Sequence, residues 1–137
     1  VDVGYGQLAW KLRQDPRVVV LERTNIRHLD SLPERPNFFV ADCSFISLRI
    51  VLPPLKELLA EQALGIVLIK PQFEAGRGQV GKGGVVRDPE VQEQAVNDVL
   101  QAAADLGFEN KGVIPSPLLG PAGNKEFLAY LEMNLNA

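Results

Sequence analysis

The amino-acid sequence predicts an α/β protein whose mostly parallel sheet is covered by helices on both faces, and three observations support this. Apolar segments of strand length alternate with helical segments along the 137 residues. Several strand segments are continuous apolar runs, which is typical of parallel strands buried on both faces. Glycine, proline and aspartate stand at the borders between segments, where they end helices and start turns.

The first half of the chain begins in what reads as the end of a strand, followed by short alternating elements. A helix that starts at Gln7 is stopped by Asp15 and Pro16, because proline does not continue a helix. The predicted elements are a strand end and turn at Val1–Gly6 (VDVGYG), a helix at Gln7–Gln14, a buried strand at Arg17–Glu22 (RVVVLE), a strand at Arg35–Asp42 (RPNFFVAD) and a helix at Leu48–Glu61.

The second half continues the alternation and has the clearest helix signals. Asp88 and Pro89 form an N-cap followed by a proline in the first turn, and Gly107 stands where the helix ends. The predicted elements are a strand at Gly65–Lys70 (GIVLIK), a helix at Pro89–Leu106, a strand at Phe108–Pro117 (FENKGVIPSP) and a strand at Glu126–Met133 (EFLAYLEM).

Composition limits the class of protein. Residues 1–137 suffice for one domain, with 46% hydrophobic and 23% charged residues. The single cysteine, Cys43, excludes an internal disulfide and a cysteine-cluster zinc site, and we predict no metal site. No apolar run has the length of a membrane span, and we expect a cytoplasmic protein. The net charge of −3 does not by itself indicate a nucleic-acid partner.

Polar residues follow the predicted strands. Asp2, Asn25, Asp42 and Lys70 all lie at or just beyond strand ends. In open α/β sheets, functional groups gather at the carboxyl ends of the parallel strands. We therefore expect these four side chains to lie along one edge of the sheet, although they are far apart in the sequence.

Five motifs in a fixed order resemble the hemolysin-A-type proteins, a group of FtsJ-like ribosomal RNA 2′-O-methyltransferases. They are DVGYGQLAWKLRQDPRVVVLERTNIRHL, DCSFISL, IKPQFEAGR, KGGVVRD and SPLLGPAGNKEFL. The resemblance covers essentially the whole chain. It implies a Rossmann-like fold that uses S-adenosylmethionine to methylate RNA. The family's S4-like RNA-binding domain, first Gly-rich cofactor loop and first catalytic lysine are not in this sequence, so we expect a fold truncated at its N-terminus and inactive by itself.

The resemblance also implies residue roles. By motif position Asp42, Lys70 and Glu126 match three members of the family's Lys-Asp-Lys-Glu catalytic tetrad, in which a lysine steers the proton of the ribose hydroxyl. Asp2 resembles the carboxylate that accepts the cofactor's ribose hydroxyls. Gly4, Asn25 and Asp42 are the other cofactor contacts that the resemblance implies.

Residues 70–88 contain four basic and two acidic side chains and five glycines. Glycines allow a loop to close over a substrate, and basic side chains suit phosphates. We expect this loop to contact RNA together with a second Gly/Pro loop, Pro117–Asn124. The predicted substrate contacts are Glu74, Arg77, Lys82, Arg87, Ser116 and Asn124.

Other functions stay open at this point. An amine methyltransferase would have Asp/Asn-Pro-Pro-Tyr/Phe where this chain has DCSF, which keeps only the Asp and Phe. An inactive RNA- or protein-interaction domain, or a cytolysin, is the non-enzymatic alternative. A fold that lacks its first strand would also expose a sheet edge, and we expect that edge to allow self-association.

Overall fold

The computed structural model describes residues 1–134, which form two compact units, Val1–Pro33 and the longer unit that begins at Glu34. The shorter unit contains helix α1, Trp10–Arg13, and one turn of 3-10 helix, Ile26–His28. Helix α1 is therefore shorter than the predicted Gln7–Gln14. The Asn25 side chain caps the 3-10 turn by accepting a hydrogen bond from the Arg27 N–H.

The two strands predicted in the shorter unit are wrong as regular strands. Residues 1–6 and 17–22 run without helical or strand structure. The Asp2 N–H donates to Leu21 O, the Thr24 N–H to Asp2 O and the Arg23 N–H to Gly4 O. A pair of segments held by so few bonds, with no third strand beside it within residues 1–33, is too small for a stable ladder.

The longer unit contains one four-stranded sheet within the described residues. The strands are β1 (Phe38–Ala41), β2 (Gln62–Ile69), β3 (Phe108–Pro115) and β4 (Phe127–Asn134), arranged in the order β1-β2-β4-β3. β1 is parallel to β2, and β4 is antiparallel to both β2 and β3. Three strands thus share one direction, which confirms the mostly parallel sheet, and β4 alone opposes them.

Three α-helices lie between the strands of this unit within residues 34–134. They are α2 (Leu48–Leu58), α3 (Pro71–Glu74) and α4 (Pro89–Asp105). The Asp88 side chain accepts from the Glu90 N–H, which confirms the predicted cap and proline start of α4. Ser47 caps α2 in the same way through the Arg49 N–H.

The core lies between one face of the sheet and helices α2 and α4, which contact each other. Side chains alternate along each strand, so the opposite face carries the other set. On that face Phe38, Val40, Ile66 and Ile114 are exposed. The helices of residues 34–134 therefore cover one face of this sheet, and β1 forms one of its edges.

Candidate active site at the strand ends

The carboxyl ends of β1 and β2 bring Asp42 and Lys70 together. Asp42 follows β1 directly, and Lys70 follows β2. The Lys70 Nζ lies 2.7 Å from Asp42 Oδ1 and donates to Ser44 Oγ at 3.1 Å. The Lys70 side chain is 11% exposed, whereas the Asp42 side chain is 70% exposed. The result is a largely buried ammonium whose carboxylate partner faces solvent.

Glu126 reaches the same end of the sheet from β4. Ile69 pairs with Phe127 across the β2–β4 ladder, so the next residues outward, Lys70 and Glu126, are neighbours on the two strands. Glu126 is 5% exposed, and its Oε2 accepts a hydrogen bond from Gln72 Nε2 at 2.8 Å. The fold thus gathers the three residues that the sequence predicts as catalytic.

Phe45 lies at the rim of this site and was not among the predicted site residues. The residue is 90% exposed although its side chain is large and apolar, and its backbone φ is +63°. The ring contacts that of Phe73, with centroids 5.0 Å apart and planes inclined by 51°. A bulky residue in the left-handed region is strained, and such residues cluster at functional sites. The only signal in the sequence was an aromatic residue three positions after Asp42.

The Gly-rich segment between α3 and α4 has defined structure. Arg77–Gln79 form a turn of 3-10 helix. The Gly81 N–H donates to Val85 O at 2.8 Å, and Gly83 and Gly84 both have φ near +80° in the turn between them. Left-handed conformations at two successive positions favour glycine. The predicted phosphate contacts in this segment are all exposed: Arg77, Lys82 and Arg87.

Asn124 ties this segment to the second loop. Its Oδ1 accepts from the Val86 N–H at 3.0 Å, and its Nδ2 donates to Gly84 O at 2.9 Å and Pro121 O at 3.1 Å. The residue is 2% exposed. Because its polar atoms already have protein partners, its position supports a structural role and not the predicted substrate contact.

Glu74 also has a structural position. Its carboxylate accepts from Ser47 Oγ at 2.5 Å and from the Leu48 N–H at 2.8 Å, at the start of α2. Burial raises the pKa of Glu74, and the hydrogen bonds from Ser47 and Leu48 and the nearby Arg49 guanidinium oppose this increase. With a side chain only 1% exposed, Glu74 connects α3 to α2, and its position does not support the predicted substrate contact.

Ser116 contributes mainly through its backbone. Its N–H donates to Glu126 O at 2.8 Å, and its hydroxyl oxygen accepts from the Leu118 N–H at 3.2 Å. The residue is half-buried where β3 ends. It therefore lies beside the strand start that carries Glu126, as the sequence predicts, and a substrate contact stays a prediction.

The predicted cofactor contacts other than Asp42 lie in the shorter unit. The exposed Asp2 carboxylate accepts the Gly4 N–H through Oδ1 at 2.9 Å, so a tight turn presents it. The Asn25 Oδ1 is taken by the Arg27 N–H, which leaves its amide group as the donor that a ligand could meet. Both side chains fit a polar ligand with hydroxyl and acceptor groups.

Comparison with solved structures supports this fold. A crystal structure of a protein from Lactococcus lactis that bears a hemolysin name superimposes with a TM-score of 0.92 at 50% identity, covering 98% of this chain and 65% of that one. A second hemolysin-named protein, from Streptococcus thermophilus, gives a TM-score of 0.92 at 44% identity, covering 96% of this chain and 49% of that one.

Sequence comparison gives named relatives and a family. The chain is 54% identical over 132 residues to the 16S/23S rRNA (cytidine-2′-O)-methyltransferase TlyA of Mycobacterium tuberculosis, covering 95% of this chain and 49% of that protein. It is 40% identical over 133 residues to hemolysin A of Brachyspira hyodysenteriae, covering 95% and 55%. The chain spans about half the length of these relatives. Residues 1–133 match the FtsJ-like methyltransferase family, and the chain belongs to it.

Proposed function

We propose that the protein containing this chain transfers a methyl group from S-adenosylmethionine to a ribose 2′-hydroxyl of ribosomal RNA. The observation that supports this best is the Lys70–Asp42 pair beside the buried Glu126, at the strand ends of a chain from a methyltransferase family. A cytoplasmic location, where ribosomal RNA is found, is part of the same proposal. Because relatives of this chain are named for cytidine, we propose cytidine as the target nucleotide.

The polar groups of the chain fit the proposed methyl donor. S-adenosylmethionine, when bound, supplies an electrophilic methyl group on a sulfonium that becomes a thioether as the carbon–sulfur bond breaks. The exposed Asp2 carboxylate can accept hydrogen bonds from the two ribose hydroxyls of such a ligand. The Asn25 amide can donate to a ring nitrogen of the adenine.

Lys70 is the residue we assign to the reacting hydroxyl. An ammonium has three N–H donors, and two of them face Asp42 and Ser44. The third N–H can donate a hydrogen bond to the ribose hydroxyl oxygen while that oxygen forms a bond to the methyl carbon. The proton that leaves this oxygen can pass to the exposed Asp42 carboxylate and from there to water. Because Lys70 is largely buried, its hydrogen bonds are fixed before the substrate arrives.

Phe45 and the basic loop would hold the RNA. An exposed ring next to the reacting group can stack on an unpaired base, which is how proteins commonly hold single-stranded nucleotides. Arg77, Lys82 and Arg87 are exposed and can contact phosphates without reading sequence. A buried lysine, a stacking ring and phosphate contacts together describe a site for one extruded ribonucleotide.

The test is methyl incorporation from labelled S-adenosylmethionine into ribosomal RNA by the natural full-length protein. We expect Lys70→Met to reduce the rate by about 1000-fold, with donor affinity by calorimetry within a few-fold of wild type. Lys111→Met, on the exposed part of β3, is the matched control and should keep full activity. Undiminished transfer by Lys70→Met would remove this lysine from the reaction, and absence of transfer and donor binding in the wild type would favour a non-enzymatic interaction domain.

A further inference from the structure

Glu126 is a buried carboxylate that forms no salt bridge in the part of the chain that the structure describes. It is 5% exposed, and within residues 1–134 no salt bridge of 4.0 Å or less involves its oxygens. Burying an unpaired charge is unfavourable, and stability alone would favour a neutral side chain at this position. Burial without an ion pair is therefore more easily explained by a role of the Glu126 carboxylate in the reaction than by a role in stability. The residues that contact this carboxylate then indicate how it is oriented.

Gln72 is the side chain that holds this carboxylate. Its Nε2 donates to Glu126 Oε2 at 2.8 Å. Gln72 stands in the first turn of α3, two residues after Lys70, so the same short segment supplies the lysine and the carboxylate's hydrogen-bond donor. The direction of the amide is fixed by chemistry, because reversing it would point its oxygen at a carboxylate oxygen.

This arrangement leaves an oxygen of Gln72 unsatisfied. Its Oε1 is buried and has no hydrogen-bond partner within the described residues. Buried polar atoms in folded proteins nearly always have partners, so an exception calls for an explanation. The explanation that fits is that the hydrogen bond to Glu126 fixes the direction of the amide and leaves its own carbonyl oxygen without a partner.

Gly120 forms the other side of the Glu126 site. A Cβ added at Gly120 would lie 2.5 Å from Glu126 Cδ, and nearer still to Oε2. Real Cβ atoms do not approach other atoms so closely. The Gly120 φ is −80°, a value open to any residue, so its lack of a side chain matters for space and not for backbone freedom. The Gly120 N–H donates to Asn124 O at 2.7 Å, which fixes its place in the loop.

We propose that Gln72 and Gly120 are positioning residues that hold the Glu126 carboxylate in one orientation next to Lys70, an inference that rests on the proposed methyl transfer. Gln72 holds it by a hydrogen bond and Gly120 by leaving room for it. Neither residue needs to touch the reacting atoms. A misplacement of about 1 Å at a reacting centre can cost about 100-fold in rate, so both should matter for turnover more than for donor binding.

The kinetic test uses Gly120→Ala and Gln72→Ala in the natural full-length protein. Each should lower kcat by about 100-fold, with KM for RNA and donor affinity within a few-fold of wild type. Ala104→Ser, which adds one heavy atom on the exposed side of α4, is the control for the atom added at Gly120 and should keep wild-type kcat. Gln101→Ala, on the exposed side of α4, is the control for Gln72.

A double-variant cycle separates positioning from a general structural role. In a Glu126→Ala background there is no carboxylate to displace, so adding Gly120→Ala or Gln72→Ala should cause little further loss of kcat. The same cycle can be read from thermal unfolding of this chain, without cofactor or RNA. Gly120→Ala should lower Tm by several degrees when Glu126 is present and by much less when residue 126 is alanine.

The proposal is overturned if Gly120→Ala and Gln72→Ala keep full activity, or if their effects on kcat and Tm are equal in both backgrounds. If Gly120→Ala does not fold, Gln72→Ala, which adds no atoms, decides the question. If the wild-type protein transfers no methyl group, the proposed function fails, and the unfolding cycle still tests whether the two residues seat Glu126.

Discussion

Lys70 Nζ lies 2.7 Å from Asp42 Oδ1, yet the two side chains meet very different surroundings, with 11% of the lysine and 70% of the aspartate exposed. An ion pair with one solvated member stabilises a fold only modestly. The same geometry is well suited to a reaction, because the buried ammonium is fixed and the exposed carboxylate can exchange a proton with water. This asymmetry makes the role of Asp42 open to a direct test.

Asp42→Asn keeps the shape of the side chain and removes its charge. If Asp42 orients Lys70 and takes up the proton, kcat should fall by about 100-fold with donor affinity unchanged within a few-fold. If Asp42 holds the cofactor instead, the donor affinity measured by calorimetry should fall in parallel. Asp105→Asn, an exposed aspartate at the end of α4, is the control and should leave both quantities unchanged.

Replacing Phe45 should separate stability from activity. Both Phe45→Ala and Phe45→Gly remove the ring, so both should raise KM for RNA and lower transfer, whereas Phe45→Tyr should retain transfer. Only glycine adopts a φ of +63° without steric strain at the Cβ atom. We therefore expect the glycine variant to be more stable than the alanine variant by about 1 kcal/mol. Urea unfolding gives the stability difference. Wild-type kinetics in Phe45→Ala would show that RNA does not stack on this ring.

The sequence predicts the strand-end site well because two local rules combine. The polar residues after Phe38–Ala41 mark the end of β1, and the proline after Lys70 marks the end of β2. Parallel neighbouring strands bring such ends to one edge of the sheet. The start of α4 follows from Asp88 and Pro89 in the same local way. Residue identity and spacing were sufficient for these features, since each depends on neighbours in the sequence.

Features that depend on tertiary contacts could not be predicted in this way. The apolar pattern of β4 is the same whichever way the strand runs, so its antiparallel direction was not readable. Phenylalanine rarely adopts a positive φ, so the sequence does not predict the left-handed conformation of Phe45 or the exposure of its ring. The sequence places Glu74 and Asn124 in Gly-rich polar segments, which favours site residues, and their structural positions become visible only through hydrogen-bond partners that are distant in the sequence.

The basic loop should give RNA binding a measurable salt dependence. Arg77→Ala/Lys82→Ala removes two exposed charges, and each lost phosphate contact lowers the slope of log affinity against log salt by about 0.7 to 0.9. We expect weaker binding to all RNA sequences, with a smaller slope. Lys56→Ala/Lys111→Ala removes the same charge from α2 and β3 and should keep the wild-type slope. Equal salt-dependence slopes for the two double variants would mean that RNA phosphates do not contact Arg77 and Lys82.

Asn124 should stabilise the fold through three hydrogen bonds. Asn124→Ala leaves the Val86 N–H and the carbonyl oxygens of Gly84 and Pro121 without this partner. We expect a loss of about 2 to 4 kcal/mol in the free energy of unfolding, measured in urea. Asn97→Ala, on the exposed face of α4, should change it by less than about 0.5 kcal/mol. A small effect at Asn124 would mean that the two loops are not held by its side chain.

Glu74 should make the stability of this chain depend on pH. Burial raises its pKa in the folded state above the ordinary value of 4.5, so the folded chain binds this proton more tightly than the unfolded chain. The contribution of Glu74 to the free energy of unfolding should therefore be largest below about pH 4.5 and fall as pH rises through the folded-state pKa. The slope can reach at most about 1.4 kcal/mol per pH unit for one group.

Glu74→Gln removes this titration, and comparing it with the wild type isolates the effect. The wild type should lose stability relative to the glutamine variant as pH rises through this window, because only the wild type must bury a charge. Glu93→Gln, an exposed residue of α4, should follow the wild-type curve. If the wild type instead gained stability relative to Glu74→Gln with rising pH, the hydrogen bonds from Ser47 and Leu48 and the Arg49 guanidinium would outweigh burial at this carboxylate.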